Sequence, residues 1–371
     1  MSLAIPDTVA LYVHWPYCAR ICPYCDFNVH RVRGDAALVP AILADMAGQR
    51  ELTGPRRLTS VHFGGGTPSL MEARDVAAIV ERADALWGLE AGAEVALEAN
   101  PALVDRARVE GFASAGVNRL SLGVQTFSDS GLSLLGRDHS GGEARDVAEL
   151  ALGILPNTSL DLIFGWRGQT DADWRADLDT ALALGAPHVS TYQLTIEPGT
   201  SFAAHEARGN SRASDPDDSA RFYETAAETL VPAGLEHYEV SNFARPGHRS
   251  RHNLSYWRGE DYVGVGPGAH GRITTDDGRL ATLTLFRPAD YVASPAPTLD
   301  ALESQDVATE YIMMGLRTDE GVDRARFVEL AGRELDTSGL EDWFAPGEQL
   351  VATPEGRRVL DSLTAALLAD L

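Results

Sequence analysis

The stretch LYVHWPYCARICPYCDFN, residues 11–28, opens as a short apolar strand and closes as a loop carrying Cys18, Cys22 and Cys25, all the cysteines of a 371-residue chain. Their C-x3-C-x2-C spacing gathers three soft thiols into one loop, which suits zinc or an iron–sulfur cluster. Zinc needs a fourth ligand; His14 and His30 are the nearest candidates, and neither belongs to a second ligand pair. A 4Fe-4S cluster on three thiolates would leave one iron open to a small molecule. The plain alternative is three thiols packed as small hydrophobes. An odd number of clustered thiols makes a poor disulfide framework and fits a reducing compartment.

The strand at 11–15 is the first of a series. Similar β-branched runs follow at 60–63, 94–99, 119–124, 159–164, 188–196 and 237–243. Helical patterns lie between most of them, over 35–53, 71–88, 104–116, 142–154, 170–185 and 217–234. Strand–helix alternation predicts an α/β fold in which helices cover a parallel sheet, and six or so consecutive units favour a complete or partial (β/α) barrel over residues 1–290. Beyond it the pattern turns helix-rich at 300–318 and 323–332, followed by a last segment, 349–371. This predicts a small C-terminal helical domain, 291–371, winged-helix-like with a short β-wing.

Composition narrows the function. The chain carries 31 Lys and Arg against 54 Asp and Glu, a net charge of −23, which repels the phosphate backbone that dominates nucleic-acid affinity. Nucleic acid and anionic membrane surfaces are therefore poor partners. No apolar run approaches the roughly 20 residues that span a bilayer. The N-terminus lacks a basic region ahead of its apolar stretch and a small-residue cleavage site, so a cytoplasmic protein is expected. A homodimer is left open.

The C-x3-C-x-Tyr-C pattern, with Tyr24 ahead of the last cysteine, resembles the signature of radical S-adenosylmethionine (SAM) enzymes. The resemblance implies that Cys18, Cys22 and Cys25 ligate a 4Fe-4S cluster whose open iron takes the amino and carboxylate groups of SAM. The segment HFGGGTPS, 62–69, follows the second strand; its three glycines allow a close backbone approach to a ligand, although such a run can be an ordinary tight turn. In the resembled family a segment like it contacts the methionine end of SAM, which points to Gly65, Gly66 and Thr67.

Glu98 and Gln125 end the third and fourth strands, where barrel enzymes place their sites. Asp161 lies within the fifth, where an acid is costly to bury without a partner, so it is either structurally paired or functional. With Tyr12 and Arg137 these residues resemble the SAM-binding set of the anaerobic coproporphyrinogen III oxidase group. One further motif, GVGPGAHG at 264–271, contains G-x-G-x-x-G, but a dinucleotide fingerprint must open a helix. The residues after it, RITTDDGRLATL, read as a hairpin, and a nicotinamide site is rejected.

Two branches of that group compete: the radical SAM enzyme that oxidatively decarboxylates coproporphyrinogen III in heme biosynthesis, and the HemW-type heme chaperones. The oxidase pattern adds a fourth cysteine where this chain has Phe27, and a longer segment before the cluster than the 17 residues ahead of Cys18. The chaperone motif H-N-x-x-Y-W is matched by HNLSYW, 252–257. The resemblance thus implies a heme carrier that holds a 4Fe-4S cluster and SAM, contacts heme at His252 and hands it to an acceptor protein. Read without the resemblance, the better reading of His252 is a satisfied histidine beside an aromatic cluster.

Overall fold

The structure, a computed structural model, describes residues 4–31 and 36–369. Asp35, the first residue of the first expected helix, and the last two residues of the C-terminal segment lie outside the described residues. Six strands run parallel, side by side and in chain order: β1 (Thr8–Trp15), β2 (Arg57–Gly65), β3 (Leu89–Ala99), β4 (Arg119–Gln125), β5 (Thr158–Phe164) and β6 (His188–Gln193). Helices α1 (Leu38–Thr53), α2 (Ala73–Trp87), α3 (Arg106–Ser114), α4 (Gly141–Ile154) and α5 (Asp171–Ala183) make the crossovers, and α6 (Pro216–Leu230) follows β6. This is the α/β, partial-barrel architecture expected from the alternation.

The chain departs from expectation at 237–243. Instead of one strand it makes two, β7 (Glu236–Glu239) and β8 (Asn242–Ala244), antiparallel to each other, with β8 antiparallel to β6. The turn between them is held by the Glu239 carboxylate, which accepts from Ser241 N at 2.9 Å and Asn242 Nδ2 at 2.6 Å. Local β propensity at Val240 loses to that side-chain bond.

After β8 comes a seven-residue helix, α7 (Arg251–Trp257), and then β9 (Tyr262–Val265), which adds in parallel to the free side of β1. From it β10 (His270–Thr275), β11 (Gly278–Leu283) and β12 (Thr298–Ala301) continue antiparallel. The β10–β11 hairpin is the one read from RITTDDGRLATL. The finished sheet has twelve strands, β12-β11-β10-β9-β1-β2-β3-β4-β5-β6-β8-β7.

Period-2 alternation divides the parallel strands into two faces. One row, including Leu11, Val13, Val61, Phe63, Leu97, Leu120, Leu122, Leu160, Leu162 and Val189, is buried under the helices. On α2 the covering residues Val76, Ile79, Val80 and Ala83 recur at helical spacing. Each such Val, Leu or Phe contributes roughly 1.5–3 kcal/mol by leaving water. The alternate row faces the barrel interior and is polar: Tyr12, His14, Ser60, His62, Glu94, Glu98, Ser121, Gln125, Ser159 and Asp161. A polar row in otherwise apolar strands is where a site can be built.

A second core is formed by Val307, Ile312, Leu316, Phe327, Leu350, Leu363 and Leu367, from α9 (Ser304–Gly315), α10 (Arg324–Ala331), α11 (Leu360–Leu368) and a small three-stranded sheet. A division at 290/291 cuts α8 (Pro288–Ala293), whose Tyr291 belongs to the first core, and β12 still pairs in the large sheet. The change of architecture follows Ala301.

Candidate functional site

The strands of the barrel end around a cavity of about 500 Å³. The loop after β1 brings Cys18, Cys22, Tyr24 and Cys25 to its wall; the end of β2 brings Gly65, Gly66 and Thr67; β3, β4 and β5 bring Glu98, Gln125 and Asp161; and Arg137 enters from the segment after β4. Residues separated by more than a hundred positions in sequence thus share one chamber.

The donor set fits a positively charged metal group. Burial pushes the Cys25 thiol up to about 11 and raises Cys18 as well, so both stay protonated until a metal displaces the proton. Donors already face the sulfurs: Thr67 Oγ1 donates to Cys18 Sγ at 3.4 Å and Arg137 Nη1 to Cys22 Sγ at 3.3 Å. Donors of this kind serve thiolates better than thiols. Among the described residues no three His, Cys, Asp or Glu side chains converge on a single ion. His14, one of the two histidines weighed for zinc, has Nδ1 2.9 Å from the Tyr12 hydroxyl and Nε2 2.9 Å from Asn28 O. The three thiols on a roomy wall suit a cluster better than zinc.

The glycine run is built for close approach. Gly65 has φ +105°, and a Cβ there would lie 2.5 Å from the His14 ring; at Gly66 it would lie 2.8 Å from the carbonyl oxygens of Trp15 and Tyr17. Gly65 N donates to Glu98 Oε2 at 3.3 Å, and the other Glu98 oxygen is 3.1 Å from His62 Nε2. Gln125 takes φ +68°, the one non-glycine residue with positive φ among those described. Such backbone strain of about 1–3 kcal/mol persists where surrounding structure holds it, often at a site.

Asp161 is both paired and cavity-lining. Its oxygens accept from Ser121 Oγ at 2.6 Å and Ser159 Oγ at 3.0 Å, and burial raises its pKa. The serines, together with His62, were not singled out in the sequence. The signal was present as polar residues at inward positions of apolar strands, but it needs strand register to be read.

Two residues stand apart from this chamber. Tyr12 lines an adjoining cavity of about 540 Å³. His252 is buried at 0% exposure beneath the chamber floor. Its Nδ1 is 2.9 Å from Ser60 Oγ, its Nε2 is 2.6 Å from the Tyr256 hydroxyl, and its ring stacks on His62 at 4.7 Å. Burial drives its pKa well below that of a free histidine, and His62 adds to the shift. Both His252 nitrogens are thus hydrogen-bonded and its ring is buried, as in the satisfied-histidine alternative weighed from the sequence. Its neighbours differ, since Asn253 lines the cysteine cavity whereas Tyr256 and Trp257 line the adjoining one.

That adjoining cavity lies between the barrel and the C-terminal helices, lined on one side by Tyr256, Trp257 and His270 and on the other by Val307, Tyr311 and Met314 of α9. Asp26, Phe27, Gly65 and Glu98 line both cavities. Phe27, the residue in place of a fourth cysteine, is 61% exposed on this shared wall.

Known proteins resemble the chain on the same lines. Residues 12–181 match the family model of the radical SAM superfamily. Over 98% of its length the chain is 36% identical to the heme chaperone HemW of Escherichia coli, covering 98% of that protein. It is 38% identical to the bovine radical S-adenosyl methionine domain-containing protein 1, mitochondrial, covering 98% of this chain and 88% of that one. Among solved structures, the coproporphyrinogen III oxidase HemN of E. coli superposes with a TM-score of 0.81 at 20% identity, covering 98% of this chain and 91% of that one, a likeness of fold.

Proposed function

The chain belongs to the HemW family of radical SAM proteins, and on that premise we propose that it is a heme chaperone that binds heme, holds a 4Fe-4S cluster and SAM, and passes heme to an acceptor protein. The observation that carries this reading is the 36% identity to a heme chaperone over 98% of both chains. Cys18, Cys22 and Cys25 would ligate the cluster, and Tyr24 would pack beside it. Gly65, Gly66, Thr67, Glu98, Gln125, Arg137 and Asp161 would hold SAM, with Tyr12 acting from the adjoining wall. When bound, the cluster supplies an iron site for SAM and a one-electron store.

The chain's own residues do the rest. Arg137 and Thr67 supply charge-assisted and neutral donors to the sulfurs, Gly65 and Gly66 let the turn after β2 pack against His14 and the Trp15 and Tyr17 carbonyls, and the Ser121–Asp161–Ser159 group orients a carboxylate toward the chamber. Among the described residues no helix is long and apolar enough to cross a membrane. We place the protein in the cytoplasm, because three free thiols and a cluster call for a reducing compartment.

The test is anaerobic. Protein reconstituted with iron and sulfide is expected to bind SAM, take up heme and transfer it to an apo-hemoprotein, without turning over coproporphyrinogen III. Sustained protoporphyrinogen formation would overturn the chaperone reading, and zinc in place of iron and sulfide would overturn the cluster.

A further inference from the structure

We propose that heme binds in the adjoining cavity, between the barrel and the C-terminal helices, and that His270 ligates its iron. This rests on the heme-carrier reading and assigns its site. The glycine-rich run GVGPGAHG serves neither the cluster nor SAM. It ends β9, turns and opens β10 with His270. Its glycines let it press against the cysteine loop: a Cβ at Gly268 would lie 2.5 Å from Asn28 Nδ2, and one at Gly266 would collide with His14 O. Asn28 Nδ2 donates to Pro267 O and Phe286 O, each at 2.8 Å, which ties the run to the loop after Cys25. His270 is thereby set on the cavity wall by a rigid support.

Its chemistry differs from that of the histidines inside the barrel. His14, His188 and His252 have both ring nitrogens engaged, and His62 gives one to Glu98. His270 is exposed, lines the cavity and has no hydrogen-bond partner among the described residues. Burial of its ring and the neighbouring Arg272 lower its pKa, so at neutral pH the imidazole is uncharged and a lone pair is free for iron.

The surroundings suit a flat, dianionic macrocycle. Phe27, Tyr256, Trp257, Tyr262, Phe286 and Tyr311 line the cavity and offer ring faces. Arg272, Arg279 and Arg326 line it too, guanidiniums suited to carboxylates. Arg272 is held by Glu310, at 2.7 Å, and Arg279, 7% exposed, pairs with Asp261 at 3.6 Å and donates to Glu260 O at 3.2 Å, while its Nε has no partner among the described residues. A volume of about 540 Å³ lies in the range of cofactor pockets.

The experiment is a titration with ferric heme followed at the Soret band, on cluster-loaded wild type, His270→Ala, His252→Ala and Met314→Trp, with circular dichroism and iron content recorded for each. His270→Ala is expected to bind roughly tenfold more weakly or worse, with a displaced Soret maximum that free imidazole restores. Met314→Trp, which fills the cavity, is expected to lose heme while keeping its iron, and folded His252→Ala is expected to keep the wild-type Soret position. Wild-type-like titration of His270→Ala or of Met314→Trp overturns this assignment and leaves the chaperone reading standing. Failure of the wild type to bind heme overturns the chaperone reading, and this assignment with it.

Discussion

Asp45, on α1, buries its carboxyl against the Tyr291 hydroxyl, 2.7 Å from Oδ2, with Gln49 Nε2 at 3.5 Å from Oδ1. Burial lifts its pKa to about 7, against the hydrogen bonds that pull it down. A carboxyl whose folded pKa is raised binds more protons in the native state, so its contribution falls as pH rises from the unfolded value, about 4, through the folded one. Asp45→Asn removes that titration. Its stability relative to wild type, read as the difference in urea midpoint, is expected to grow between pH 5 and pH 8; a constant difference would refute the assignment. Single residues also mark where sequence reading ran out. Asp161 was readable as costly, but Ser121, its partner 40 positions away, was not. His252 was readable as a motif residue, yet Ser60, 192 positions away, satisfies one of its nitrogens. A side chain's local neighbours are written in the chain, whereas its hydrogen-bond partners are decided by which strands become adjacent.

Among the elements, the end of β2 carries the most geometric constraint. At Gly65 the backbone needs positive φ and the His14 ring occupies the place of a Cβ. Gly65→Ala is expected to cost about 1–3 kcal/mol in backbone strain before the clash is counted, and to yield protein with less iron and sulfide after anaerobic reconstitution. Normal cluster content and an unchanged thermal midpoint would count against the role given to this turn. The helix α7 shows a different dependence. Seven residues do not hold a helix in water by themselves. Here Ser250 caps it, and the buried Glu94 carboxylate on β3 accepts from Arg251 N at 3.2 Å and His252 N at 3.1 Å. Strand and crossover-helix patterns were legible because 2.0- and 3.6-residue periods are local. The 236–244 hairpin was not, because its turn depends on one carboxylate reaching back onto the chain.

At the scale of the whole molecule, charged pairs tie the barrel edge to the segment leading from the second core. Arg317 meets the buried Glu239 carboxylate at 2.7 Å and lies 4.8 Å over the Trp257 ring, while Arg249 bridges Glu236 and Asp319. Exposed pairs of this kind contribute little singly, but a buried carboxylate stripped of its partner costs on the order of 3 kcal/mol. Arg317→Met is therefore expected to speed hydrogen exchange across residues 304–368, at the second core, more than across β1–β5. Uniform exchange in both would show that the lobes are held by other contacts. The strand–helix alternation and the cysteine loop were legible in the amino-acid sequence, because periods of 2.0 and 3.6 residues are local, whereas the polar inward row needed the register of neighbouring strands to be read. The interior position of His252, the hairpin at 236–244 and the aromatic cavity between the lobes emerged only on folding. Each depends on residues dozens to hundreds of positions apart meeting, and those meetings are selected by the packing of the completed sheet against the C-terminal helices.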